Sequence, residues 1–188
     1  RILKYVPHGL NHEHYFPVKE DDPKYLEFKK TVLGPDAETT KFVAFFNSRN
    51  IRRKQIPDTM IAFRAFLDSL PEEEAKHCKL ILHTELTSNH GTDLLKVNEY
   101  LFGEKYPKHV IFSTHKLNRD QLNYLYNLAD VQILLTSNEG WGLTITEAIL
   151  SGTPIIANTT GGMQDQMRFV DENGNWFTPS PDVPSNHR

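Results

Sequence analysis

Cysteine is nearly absent: Cys78 is the one cysteine in 188 residues. A disulfide framework and a cysteine-built zinc site are thereby excluded, and a reducing setting, the cytoplasm, is expected. Cys78 itself reads as a small packed residue just ahead of a strand. No apolar run approaches the ~18 residues of a membrane-spanning helix. The longest, such as Val131–Leu135, have strand length. Neither sign of charge dominates, since Lys and Arg total 21 against 24 Asp and Glu, for a net charge of −3. Nothing in that balance recruits nucleic acid or an anionic membrane. Two phosphate-binding signatures are missing as well. There is no Gly-x-x-x-x-Gly-Lys, and Gly140-Trp141-Gly142 lacks the third glycine of a dinucleotide fingerprint because position 145 is Ile145. The chain opens at Arg1, with neither an initiator Met nor a signal peptide, and closes on the Pro/Ser-rich stretch that starts at Phe177. It reads as a piece of something larger.

What is present is the composition of a globular domain, 38% hydrophobic and 24% charged. The length fits a single domain over residues 1–188. An irregular lead-in (1–40), a core (41–177) and a tail (178–188) divide it. Strand and helix signals alternate along it. Ile2–Val6 is a strand candidate, and His8-Gly9, Pro17, Pro23 and Gly34-Pro35 break any period across 8–38. Lys41–Asn47 is a continuous apolar run, as in a strand buried on both faces. Asp58 reads as the N-cap of a helix carrying Met60, Phe63, Phe66, Leu67 and Leu70, ended by Pro71. Leu80–His83 is a strand, 92–101 a weaker helix and 109–112 a strand. Asn118-x-x-Gln121 is a capping box ahead of Leu122, Leu125, Tyr126 and Ala129 at helical spacing. Val131–Thr136, the helix 143–150 closed by Gly152, Pro154–Ala157 and a short helix over 164–169 follow. Such alternation predicts an α/β fold, a Rossmann-like parallel sheet with helices on both faces. Ligands in such sheets bind at the carboxyl ends of the strands.

The loops at those ends carry the chemistry. Arg49, Arg52, Arg53 and Lys54 place four cations within six positions directly after the first core strand. They form an anion site or a solvated run. In Ser137–Ala148, Glu139 and Glu147 bracket a glycine-rich turn into a helix. The glycines allow close backbone approach, and the helix N-terminus suits a phosphate. A carboxylate before the turn can accept from sugar hydroxyls, and one in the first helical turn can take a vicinal diol. Thr144-x-x-Glu147 is also a capping-box pattern, so Glu147 equally fits a bond to its own helix end. His12-Glu-His14 lacks a recognisable third ligand and reads as loop, so no metal site is expected. Trp141, between two glycines, reads as a cleft wall.

Glu139-Gly-Trp-Gly-Leu-Thr with Glu147-Ala resembles the Glu-x7-Glu motif of retaining glycosyltransferase family 4, whose GT-B architecture sets two Rossmann-like domains across a cleft. Val6-Pro-His-Gly-Leu-Asn with Phe16-Pro, the Arg49/Lys54 pair, Leu122–Ala129 with Asp130-Val131, Ser151-Gly-Thr-Pro-Ile-Ile-Ala and Gly161-Gly162 extend the resemblance over residues 2 to about 177. It implies the C-terminal, donor-binding half of a hexosyltransferase that uses a nucleoside-diphosphate sugar. It also implies retention by front-face substitution, no metal and no cofactor. The acceptor would be held by an N-terminal domain lying outside this chain, without which the piece would be inactive. By the same resemblance, Arg49 and Lys54 hold the donor diphosphate and Glu139 contacts the hexose. The backbone of Gly140, Trp141, Gly142, Leu143 and Thr144 lines sugar and phosphates. Glu147 takes the ribose, and Thr114, His115 and Lys116 lie beside the base. Three positions depart from the pattern: Gln55 for the usual glycine after Lys54, His83-Thr-Glu for a glycine-rich turn, and Ser113-Thr-His115 where a glycine is usual. An epimerase or phosphorylase of the same fold and a non-catalytic nucleotide-binding module are the alternatives. Retention of Glu139, Glu147, Arg49 and Lys54 together argues against the last of these.

Overall fold

Residues 2–4, 6–167 and 169–177 are described by a computed structural model. Five strands, β1 (Phe42–Asn47), β2 (Cys78–His83), β3 (Val110–Ser113), β4 (Val131–Leu134) and β5 (Ile155–Ala157), form one sheet in the order β3-β2-β1-β4-β5. Every pairing in it is parallel. Helices connect them: α1 (Pro23–Leu33) precedes β1, α2 (Ile56–Ser69) and the single turn α3 (Glu72–Ala75) lead to β2, and α4 (Leu94–Phe102) leads to β3. Then come α5 (Arg119–Leu128), α6 (Leu143–Ser151) and α7 (Met163–Met167). The chain builds outward from β1 to β3 and returns to add β4 on the other side of β1. The strand order therefore reverses between β1 and β4, and the loops leaving these two strands flank the crevice where open α/β sheets bind ligands.

Burial explains the apolar strands. Ala44, Phe46, Leu80 and Leu82 pack against Ile56, Met60, Phe63 and Leu67 of α2 and Leu94 and Phe102 of α4. Val43, Phe45 and Ile81, the alternate residues, pack against Leu33 of α1 and Leu125 and Tyr126 of α5. Both faces are covered, so no polar alternation is needed. The Asp130 carboxylate accepts the Val43 N–H at 2.7 Å, while Asp130 N–H donates to the Val43 carbonyl at 2.9 Å, which sets the start of β4 against β1.

The lead-in differs from expectation. The described residues of 2–6 form no strand, and Ile2, Leu3 and Val6 are exposed with no neighbouring strand to pair them. Within 8–38, α1 is a regular helix. The Asp22 side chain accepts the N–H groups of Lys24 and Tyr25, and Pro23 occupies the first helical turn. A proline there starts a helix because its missing N–H has no intrahelical partner anyway. Helix α2 begins at Ile56, so Asp58 lies inside the first turn rather than at the cap. Gln55 caps it with φ 48°, the left-handed region in which a glycine costs least. Cys78 is the first residue of β2 and is buried, and α7 is shorter than 164–169. The capping box forms as expected: Asn118 Oδ1 accepts from Gln121 N–H at 2.9 Å and Gln121 Oε1 from Asn118 N–H at 3.0 Å. The tail 178–188 lies outside the described residues.

Candidate functional site

Three loops at the carboxyl edge are stitched together by polar groups around a buried threonine. The Thr136 hydroxyl, fully buried at the end of β4, lies 3.0 Å from the Arg53 carbonyl and 2.9 Å from the Asn138 carbonyl. Ser137 N–H donates to the same Arg53 carbonyl at 2.9 Å. After β5, Asn158 accepts from Thr136 N–H at 2.9 Å and donates to its carbonyl at 2.6 Å. These bonds hold the β1 loop against the β4 loop, where Arg52–Lys54 form a 3₁₀ turn. Lys54 and Glu139, 85 residues apart, meet in a direct ion pair with both side chains largely buried. Arg53 reaches the same carboxylate at 3.1 Å and the Asn138 carbonyl at 2.5 Å. Burial pushes the Glu139 carboxyl up, but Lys54 and Arg53 outweigh it and hold the group below its ordinary value. Sequence reading named Lys54 and Glu139 separately. It counted Arg53 among the four cations of the run and gave it no role of its own.

The glycine turn beyond Glu139 runs into α6. Gly142 is the N-cap, at φ 85°, and no side chain caps the helix. The amino end of α6 thus presents backbone donors and positive potential at the crevice. The Thr144 hydroxyl there is buried without a hydrogen-bond partner. The turn is braced from behind: Gly162 N–H donates to the Glu139 carbonyl at 3.2 Å. A Cβ at Gly161 would collide with that carbonyl, and one at Gly162 with the Gly140 carbonyl. From α7, Gln166 donates to the carbonyls of Trp141 and Gly142 and accepts from the Thr146 hydroxyl at 2.8 Å. Trp141 is half-buried; its indole N–H donates to Thr146 at 3.0 Å and its ring stands 5.9 Å from that of His8.

Glu147 does not cap its helix. Its carboxylate turns instead toward α5, where the Tyr126 hydroxyl donates to it at 2.5 Å and itself accepts from Asn47 Nδ2 at 2.9 Å. The Tyr15 phenol of the lead-in, packed edge-on against Tyr126, also favours the charged carboxylate. Burial raises the Glu147 carboxyl, and the two phenols only partly offset it. The lead-in is held in place by two asparagines of α5. Asn123 exchanges two 3.1 Å bonds with the backbone of Phe16, and Asn127 accepts from Val18 N–H at 2.7 Å. The stretch placed in an irregular lead-in therefore forms one wall of the site.

Arg49 stands apart from the Lys54 pair. It is exposed and lines a pocket of about 290 Å³ with Asn47, Glu85, Thr114, His115 and Lys116, across the ends of β1, β2 and β3. His83 sits in the same pocket, its Nδ1 2.9 Å from the Ser113 hydroxyl, and burial lowers its imidazole. Glu85 accepts the Asn50 N–H at 2.8 Å, which holds its carboxyl low. His14 Nε2 meets Arg119 at 3.0 Å rather than His12. Among the described residues no three His, Cys, Asp or Glu side chains converge as a metal site, and no helix is long and apolar enough to cross a membrane.

Residues 38–185 match the family described as glycosyl transferases group 1. An uncharacterised glycosyltransferase of Methanocaldococcus jannaschii is 32% identical over 76 residues, 40% of this chain and 19% of its own length. The chain thus matches about a fifth of that curated relative. Among solved structures, the C-terminal domain of the group 1 glycosyl transferase LpcC from Francisella tularensis superposes with TM-score 0.67 at 19% identity, over 92% of this chain and 81% of that one. Sucrose-phosphate synthase of Thermosynechococcus elongatus gives 0.64 at 21% identity, over 86% of this chain and 36% of its own. Both likenesses concern the fold, a GT-B Rossmann-like domain.

Proposed function

The chain belongs to the glycosyl transferases group 1 family, and from that premise we propose that it is the donor-binding half of a retaining family 4 hexosyltransferase acting on a nucleoside-diphosphate sugar. The observation that carries the reading is the meeting of Lys54 and Glu139 beside the uncapped amino end of α6, at the point where the strand order reverses. In this reading the diphosphate takes the place of the Glu139 carboxylate on Lys54 and receives Arg49 and Arg53 from the side. Glu139, released, accepts from hydroxyls of the hexose. Glu147 takes the ribose diol, and the 290 Å³ pocket beside Thr114, His115 and Lys116 takes the base.

The chemistry follows from where charge develops. The bond from the anomeric carbon to the β-phosphate oxygen breaks, its electron pair stays on that oxygen, and the acceptor hydroxyl bonds to the same face of the sugar as its proton passes to the leaving phosphate. Negative charge grows on the diphosphate. Fixed cations and helix-end N–H groups already oriented toward it stabilise the transition state without reorganisation. An acceptor-binding domain outside this chain completes the cleft, so the chain alone binds donor and transfers nothing.

Calorimetry with ADP, GDP and UDP, each with and without EDTA, tests the proposal. One of the three should bind, and binding should survive chelation. Absence of binding by all three overturns the donor role, and binding abolished by EDTA overturns the metal-free assignment.

A further inference from the structure

Tyr126 has the sequence signature of a core residue and the hydrogen bonds of a site residue. It is fully buried on α5, between the ring of Phe45 at 5.2 Å and that of Tyr15 at 5.9 Å, both edge-on. Its hydroxyl is not turned to a backbone carbonyl, the ordinary solution for a buried tyrosine. It donates to Glu147 at 2.5 Å and accepts from Asn47 at 2.9 Å. Asn47 is the last residue of β1 and Glu147 lies on α6, so the phenol bridges the two sides of the reversal point. Tyr15 of the lead-in packs edge-on against Tyr126, and its phenol favours the charged form of the same carboxylate.

Resting on the donor reading above, we infer that Tyr126 is a positioning residue that holds the Glu147 carboxylate for recognition of a vicinal diol. A carboxylate offers about four lone-pair sites. The Tyr126 phenol occupies one of them and fixes the rotamer, which leaves others for the two hydroxyls of a ribose. The alternative partner for Glu147, its own helix end, is not used. Without that phenol the carboxylate would be a half-buried charge with nothing to orient it, and burial would favour its protonated form. A diol would then meet a group in the wrong rotamer or the wrong charge state. Tyr126 need not touch the ligand to matter: it acts through Glu147.

The test compares ligands that differ in the diol. Tyr126→Phe and Tyr15→Phe are titrated with whichever of ADP, GDP and UDP the wild type binds, with its 2′,3′-dideoxy analogue, and with inorganic pyrophosphate. Tyr126→Phe should weaken the ribonucleoside diphosphate about tenfold, the order of one charge-assisted hydrogen bond. The dideoxy analogue and pyrophosphate should change less than about twofold. In a Glu147→Gln background the same substitution should add nothing, because the two act as one unit. Uniform weakening of all three ligands would make Tyr126 a structural residue and overturn the inference. So would normal ribonucleotide binding by Tyr126→Phe when Glu147→Gln is impaired, and that result leaves the donor reading intact. Normal binding by Glu147→Gln overturns the ribose role and the inference with it. Should Tyr126→Phe fail to fold, Tyr15→Phe, which removes the hydroxyl of the half-buried ring packed edge-on against Tyr126, decides by the same three ligands: a loss confined to the ribonucleotide supports the clamp, and no selective loss overturns it.

Discussion

Lys54→Met isolates the ion pair at the centre of the site. The substitution keeps the apolar stem and removes the ammonium. The Lys54 and Glu139 side chains are 8% and 13% exposed, so Glu139 is left as a nearly buried carboxylate. Breaking a buried pair by deleting one partner costs about 3–5 kcal/mol. Arg53 remains 3.1 Å from the carboxylate, but its side chain is 43% exposed, and a pair of that kind returns only ~0.2–1 kcal/mol. The expected loss is therefore about 2–4 kcal/mol, read as a drop in urea midpoint at pH 7. The double variant Lys54→Met/Glu139→Gln removes both charges and should recover most of it, to within about 1 kcal/mol of wild type, since a neutral pair carries no stranded charge. The acid limb supplies a second signature. Glu139 titrates below its ordinary value, so the stability it contributes is complete above the unfolded carboxylate value and is lost as pH falls through the folded one. Lys54→Met should flatten that limb. Additive losses in the double variant, or a single variant that unfolds like wild type, would refute the account of Lys54 and Glu139 as one electrostatic unit.

Two further outcomes follow from the geometry. Gly162→Ala drives a Cβ into the Gly140 carbonyl, so it should displace the Glu139–Gly142 turn and weaken pyrophosphate and nucleoside diphosphate alike by calorimetry; unchanged affinity would show that the turn is not braced there. Glu147 titrates above its ordinary value, so on acidification it takes its proton before Glu139 does. Nucleoside diphosphate affinity should fall across that first step in wild type and stay flat in Glu147→Gln, whereas matching profiles for the two proteins would dissociate ligand binding from the Glu147 charge.

The sheet was legible because its strands are buried on both faces and the residues say so continuously: Phe42–Phe46 and Leu80–Leu82 have no polar face to obscure them. Helix α1 was hidden by Pro23, which punctuates a loop and starts a helix equally well, the distinction resting on the Asp22 cap beside it. Lys54, Glu139 and Glu147 were singled out in the sequence by residue type, spacing and the family resemblance together. Their partners were not. Arg53 reaches Glu139 only because a 3₁₀ turn aims it, and no spacing rule reports that. Tyr126 sits in step with Leu122 and Leu125 and so reads as core; periodicity locates its ring but says nothing of its hydroxyl. Asn123 and Asn127, one turn apart on a helix face that faces the interior, are the signal that went unused, since buried amides need partners. They found them in Phe16 and Val18, more than a hundred residues away.

The same environments separate the two carboxylates of the Glu-x7-Glu segment. Eight positions and one glycine turn apart, they are held in opposite ways: Glu139 by two cations that favour its charge, Glu147 by phenols within a burial that disfavours it. Pairs of titratable groups pushed apart in this manner mark a division of roles. Lys54, already engaged by the Glu139 carboxylate, can exchange that anion for a phosphate, one anion replacing another at the same ammonium. A carboxylate that burial pushes toward its neutral form gains charge stabilisation from every hydroxyl that donates to it, since each added donor favours the charged form. The first arrangement suits exchange with an anionic ligand and the second suits recognition of a neutral polyol. In the proposed donor reading, their adjacency across Gly140–Gly142 would serve a ligand in which a diphosphate lies between two sugars, the chemical form of a nucleoside-diphosphate hexose.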